Sequence, residues 1–204
     1  MQNRTYSTHI LIRYLSRCFA IVTGLLISGL SFAHTGHDHV DGMLAGISHP
    51  IGGLDHLLAM LGVGIWAAQT GGQSRYFLPL SFVTVMLVGG VMGISGLVLP
   101  FIEEGILASV LVIGVVLSLA LKMPAVLSAG LVGFFAIFHG YAHGAEMPVS
   151  SAAIAYMAGF ALSTATLHLV GIIGANTIKS QARQTATRIT GLVLMLAGTY
   201  LAIV

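Results

Sequence analysis

The sequence predicts an all-α fold, a polytopic membrane helix bundle with about six transmembrane helices behind a cleavable signal peptide. Hydrophobic residues make up 56% of the 204-residue chain and charged residues only 7%, whereas soluble domains carry about 25% charged residues. Six apolar stretches follow the N-terminal segment, each near the roughly 20 residues that cross a bilayer. The basic residues are few and scattered, so nucleic acid is not an expected partner.

The N-terminal segment has the order of a secretory signal. Basic residues precede a short apolar stretch from Cys18 to Leu30, and Ser31-Phe32-Ala33 matches a small-x-small cleavage site. We predict cleavage after Ala33, with residues 1–33 as signal peptide, 34–48 as a periplasmic, His-containing tail and 49–204 as the six-helix membrane domain. The alternative is an uncleaved first helix, which is less favoured because the apolar core is shorter than a span.

The six predicted spans cover residues 50–69, 76–99, 104–121, 124–142, 151–178 and 186–204. With the mature N-terminus outside, every basic residue of the mature chain falls on the inner side, as the positive-inside rule requires. We therefore predict a multi-pass protein of the bacterial inner membrane with both mature termini periplasmic. Short loops indicate that consecutive helices are antiparallel neighbours. The bilayer is the expected partner, and a homo-oligomer is left open.

A first polar motif lies in the first span: His49-Pro50-Ile51-Gly52-Gly53-Leu54-Asp55-His56. Pro50 suits a first helical position, and seven residues are nearly two turns, which predicts His49 and His56 on one helix face. Asp55 is either a metal ligand or a partner that orients an imidazole. A His–Asp pair kept for packing is the alternative interpretation.

A second polar motif ends the fourth span: Phe138-His139-Gly140-Tyr141-Ala142-His143-Gly144-Ala145-Glu146. His139 and His143 are four residues apart and share a helix face, and Glu146 extends that face if the helix continues. Ionisable side chains in a membrane are costly and indicate function. Imidazole and carboxylate without thiolate suit nickel, cobalt or zinc. The alternative is an interfacial histidine pair.

Weaker candidates lie elsewhere. His168, one turn after Thr164 in the fifth span, either belongs to a transport path or bonds a neighbouring helix. His34, His37 and His39 in the tail are candidate capture ligands. Glu103 and Glu104 are interpreted as outer-loop anions, and the methionines as packing residues. The glycines interleaved with the polar motifs are interpreted as flexible sites or sources of carbonyl ligands.

At these motifs the chain resembles the HupE/UreJ family of nickel-permease-like membrane proteins. The resemblance implies uptake of Ni²⁺ or Co²⁺, with Zn²⁺ ranked behind them, for hydrogenase or urease maturation, without a prosthetic group. It implies that the metal ligands are His49, Asp55, His56, His139, His143 and Glu146. An intramembrane metal-dependent enzyme is an alternative, although His-Glu-x-x-His is missing. A metal sensor or chaperone without transport is another.

Overall fold

The computed structural model describes residues 42–148 and 152–203, and the regular structure within these ranges is helical. The all-α prediction is therefore confirmed. The predicted signal peptide and the tail histidines His34, His37 and His39 lie outside the described residues. The helices are α1 (Gly42–Gly52), α2 (Leu54–Thr70), α3 (Ser74–Ile94), α4 (Ile102–Ser118), α5 (Ala125–Ala145), α6 (Ala153–Thr177) and α7 (Ser180–Leu201).

Helices α2 to α7 occupy the positions of the six predicted spans. By length and apolar composition, α3, α5 and α6 can each cross a membrane, and α1 with α2 can do so as one bent span. Helix α4 has only 17 residues, and α7 begins with polar turns in place of the predicted inner loop. Several apolar helices of this kind are consistent with a multi-pass membrane protein, while the count of six spans stays a prediction.

The first predicted span differs from expectation. A break at Gly53 separates α1 from α2, and the two helices are bent by 85°. Pro50 lies inside α1 rather than at a first helical position. Residues 42–48, assigned to the tail by the sequence, form the first turns of α1, and Gly46 packs against the backbone of Tyr156 in α6. The prediction that His49 and His56 share one helix face is therefore wrong.

Close helix contacts set the directions of the chain. Near their N-terminal ends, α3 and α5 are joined by Ser81 Oγ, which donates to the Ala129 carbonyl over 2.8 Å. Near their C-terminal ends Gly90 packs on Gly144, so these helices run parallel. Helices α2 and α6 also run parallel, because Met60 contacts Thr164 and, one turn later in both helices, Gly64 packs on His168. Helices α4 and α7 run antiparallel, since Gly114 contacts Gly191 and Gly198 contacts Leu111.

These directions place opposite charges at opposite ends of the bundle. Arg75 and Lys122 lie beside the N-terminal ends of α3 and α5, and Lys179 precedes α7 at the same end. Glu103 in the first turn of α4 and Glu146 at the C-terminus of α5 lie at the other end. We call these the basic end and the acidic end. Both polar motifs belong to the acidic end.

Candidate metal centre

A cavity of about 380 Å³ lies at the acidic end. It is bounded by the α1–α2 break, the first turn of α4 and the end of α5, so it forms where three separate parts of the chain meet. Most predicted site residues are among its lining residues, which are Ser48, His49, Gly52, Gly53, Asp55, His56, Glu103, His143 and Glu146.

Four imidazoles from the two motifs form one cluster at this cavity. The ring centroid of His143 lies 4.9 Å from that of His49 and 4.6 Å from that of His56. The ring of His139 is 4.8 Å from the ring of His56. His139 and His143 are buried, whereas the side chain of His49 is 30% exposed. The cluster therefore extends from the cavity into the bundle.

Glu146 joins the second motif to the first. Helix α5 ends at Ala145, so Glu146 is the capping residue and does not continue the helix face of His139 and His143. Its Oε2 lies 2.9 Å from Nε2 of His49. The glutamate side chain is 58% exposed, and this carboxylate–imidazole pair stands at the solvent side of the cluster.

Asp55 holds His56 in a defined orientation. One carboxylate oxygen, Oδ1, accepts both the backbone N–H of His56 over 2.7 Å and the Nδ1–H of its ring over 2.8 Å. Because Nδ1 carries the proton in this pair, Nε2 of His56 carries the lone pair, and this atom is buried without a hydrogen-bond partner in the described parts of the chain. Asp55 thus fits the orienting role that metal-bound imidazoles commonly require.

Ser109 of α4 orients His139 in the same manner. The Ser109 hydroxyl donates its single hydrogen to the Ile106 carbonyl over 2.6 Å, and Nε2 of His139 lies 2.9 Å from the same oxygen. The imidazole must then be the donor, which leaves the lone pair on Nδ1. That nitrogen is buried and has no partner among the described residues. Ser109 is not among the residues predicted from sequence, since nothing near it in the chain signals a distant histidine.

His143 lies between these groups with both ring nitrogens unpartnered in the part of the chain that the structure describes. Its ring stacks on Phe160 at a centroid distance of 5.2 Å. Leaving a buried polar atom without a partner costs about 1–3 kcal/mol. Several such atoms lie on neighbouring imidazoles, and a ligand that bonded to them would remove this cost.

The observed rotamers do not yet form a coordination sphere. Within residues 42–148 and 152–203, no three His, Cys, Asp or Glu side chains are already arranged to hold a metal ion. The rings of His139 and His56 meet edge to face, at 88°. Binding an ion therefore requires rotation of these side chains.

The remaining candidates fall in different places. His168 is fully buried in α6, outside the cavity lining, with its ring 5.1 Å from that of Phe82. Glu103 lines the cavity while Glu104 does not. Gly140 and Gly144 are helix-packing positions, because a Cβ on Gly140 would collide with the Met86 carbonyl of α3 and one on Gly144 with the Gly90 carbonyl.

One family of known proteins matches most of the chain. The family described as HupE / UreJ protein matches residues 22–201. This chain belongs to the HupE/UreJ family. It is 41% identical over 183 residues to Protein HupE of Rhizobium leguminosarum bv. viciae, covering 90% of this chain and 95% of that protein. No solved structure matches. The HupE/UreJ family is an accessory, transport-type family associated with nickel for hydrogenase and urease.

Proposed function

We propose that the protein is a membrane permease that takes up a divalent transition-metal ion, Ni²⁺ first and Co²⁺ second. The observation that carries this proposal is the cluster of His49, His56, His139 and His143, in which Asp55 and Ser109 set the tautomers of two rings. Neutral imidazole nitrogens with free lone pairs are ligands that suit nickel and cobalt. Within the two motifs, the residues proposed as ligands or as orienting groups are His49, Asp55, His56, His139, His143 and Glu146.

The cavity supports a stepwise capture of the ion. Glu146 and the partly exposed His49 are the first groups that a hydrated cation meets. The buried nitrogens of His56, His143 and His139 follow deeper in the bundle. A metal loses water when it enters an apolar interior, so rotated imidazoles would replace the lost water ligands. Tail histidines His34, His37 and His39 are proposed to raise the local metal concentration before this step.

The charge polarity of the bundle supports inward movement. By the positive-inside rule the basic end faces the cytoplasm, which would place the cavity on the periplasmic side of the inner membrane and both mature termini with it. An inside-negative potential then favours entry of a doubly charged ion by about 4.6 kcal/mol per 100 mV. We propose this potential as the driving force.

The enzymatic alternative gains no support from the hydroxyl nearest the cluster. Ser109 pairs with His139, as a nucleophile pairs with a base, but its hydrogen is donated to a backbone carbonyl and the side chain is fully buried. We therefore assign Ser109 an orienting role.

Uptake of radioactive nickel and cobalt into metal-starved cells tests the proposal. Cells that express the protein should accumulate either ion faster than cells with the empty vector, and the excess should fall when the membrane potential is collapsed. Metal binding by the purified protein without any flux in cells would instead indicate a sensor or chaperone and would overturn the permease assignment.

A further inference from the structure

Beneath the imidazole cluster, away from the cavity, lies a second group of unusual side chains. Met60 follows His56 by one turn of α2, and Thr164 follows Phe160, which stacks on His143, by one turn of α6. Met86 of α3 completes a layer with them. All three are fully buried, so the layer continues the line of the cluster into the bundle.

Thr164 brings two thioethers together. Its Oγ1 lies 3.3 Å from Sδ of Met60 and 3.6 Å from Sδ of Met86, so the two sulfur atoms are no farther apart than the sum of these distances. Thr166, Thr190 and Thr199 each donate instead to the carbonyl four residues earlier in their helix. A thioether is a weak acceptor compared with a carbonyl. The contact of Thr164 is therefore set by the convergence of the methionines and not by helix geometry.

His168 follows this layer along α6. It lies one turn beyond Thr164 on the same face of α6, is 1% exposed, and has neither ring nitrogen partnered within the described residues. The close approach of α2, whose Gly64 packs on the His168 backbone, keeps this turn of α6 beside Met60's helix. A buried imidazole without partners, one helical turn from the threonine that contacts both sulfur atoms, offers with them the donor set of a metal site.

We propose that His168, Met60 and Met86 form a second metal-binding site, which takes the ion from the imidazole cluster and holds it through imidazole and thioether ligands. This inference rests on the proposed permease function. Thioethers favour softer late transition metals, whereas Mg²⁺ and Ca²⁺ require oxygen ligands. The second site would therefore pass nickel or cobalt and stop the more abundant hard cations.

The test uses the full-length protein purified in detergent, with Ni²⁺ alone as the probe. Wild type should bind two ions per chain, and X-ray absorption at the nickel edge should detect sulfur in the coordination shell. The double variant Met60→Leu/Met86→Leu should bind one ion without sulfur, and its nickel uptake in cells should fall about tenfold or more. Leucine resembles methionine in volume, so the core packing is retained.

Two further variants make the test specific. Met195→Leu removes another thioether, which accepts a hydroxyl contact from Ser118 over 3.8 Å between α4 and α7, and it should keep the sulfur signal and the uptake. His143→Ala, which damages only the imidazole cluster, should keep the sulfur-bound ion.

The outcomes separate this inference from the permease proposal. Sulfur missing in wild type, sulfur retained in the double leucine variant, or an unchanged uptake in that variant overturns the second site alone. The second site is also overturned if Met195→Leu lowers the sulfur signal and the nickel uptake as much as the double leucine variant does. Absence of uptake by wild type overturns the permease function and the second site together.

Discussion

At the scale of single residues, the tautomers of the clustered histidines are set by neighbours remote in the chain. Ser109→Ala removes the acceptor for Nε2–H of His139, so the ring loses its orientation, and nickel uptake should fall roughly tenfold, as for other residues that orient metal ligands. Ser118→Ala is the matched control, because Ser118 makes the same contact to a carbonyl three residues back in α4 but touches no histidine. Uptake assays at equal protein abundance decide between them.

His143 is the residue whose loss should be most severe. Its ring contacts His49, His56 and Phe160, so His143→Ala removes the central imidazole of the cluster and should abolish uptake. Membrane insertion depends on apolar length and cytoplasmic basic residues, which the substitution leaves intact, and abundance should stay near normal. Wild-type flux in a well-expressed His143→Ala protein would contradict the assignment of this cluster.

At the scale of elements, the break between α1 and α2 shapes the cavity. A Cβ on Gly53 would lie 2.9 Å from Oδ1 of Asp55 and 3.0 Å from Nδ1 of His56, whereas one on Gly52 would meet nothing within 4 Å. Gly53→Ala should therefore displace the Asp55–His56 pair and reduce uptake several-fold, while Gly52→Ala should leave it unchanged. Equal uptake by the two variants would show that this pair tolerates displacement.

The contact between α3 and α5 depends on glycine. Gly144→Ala places a Cβ against the Gly90 carbonyl, and overpacking of this kind costs about 1–3 kcal/mol of the free energy of unfolding. Gly130→Ala in the same helix meets open space and should be neutral or stabilising by up to about 1 kcal/mol. Thermal unfolding of the two purified variants in detergent measures the difference, and an unshifted midpoint for Gly144→Ala would argue against the close contact.

At the scale of the whole molecule, the charge polarity predicts an orientation. In a Cys18→Ser background, Glu104→Cys at the acidic end should react with a membrane-impermeant maleimide in intact cells. Lys122→Cys at the basic end should react only after the cells are lysed. Both residues are exposed, so reactivity reports the side of the membrane. Labelling of Lys122→Cys in intact cells would show that the basic end faces outward, and it would contradict the proposed direction of transport.

Local pattern in the sequence was sufficient for the class of the fold. Apolar length and the scarcity of charge predicted helices near the observed positions of α2 to α7. Because consecutive spans reverse direction, the start of the first span and the end of the fourth had to lie at the same end of the bundle. That placed His56 and His143 together before any contact was known.

Tertiary structure alone decided how the site is built. His49 and Glu146 are separated by 97 positions, and Ser109 and His139 by 30, so no local pattern could pair them. From sequence alone Met60 and Met86 are interpreted as packing residues, and only the contact of three helices brings them to one layer with Thr164. The sequence by itself determined which residues are candidate metal ligands, since this follows from residue type. It also determined that the two motifs lie at the same end of the bundle, since this follows from helix order. Tertiary structure decided which nitrogen of each ring is free and where α1 bends, because both depend on contacts between helices that are distant along the chain.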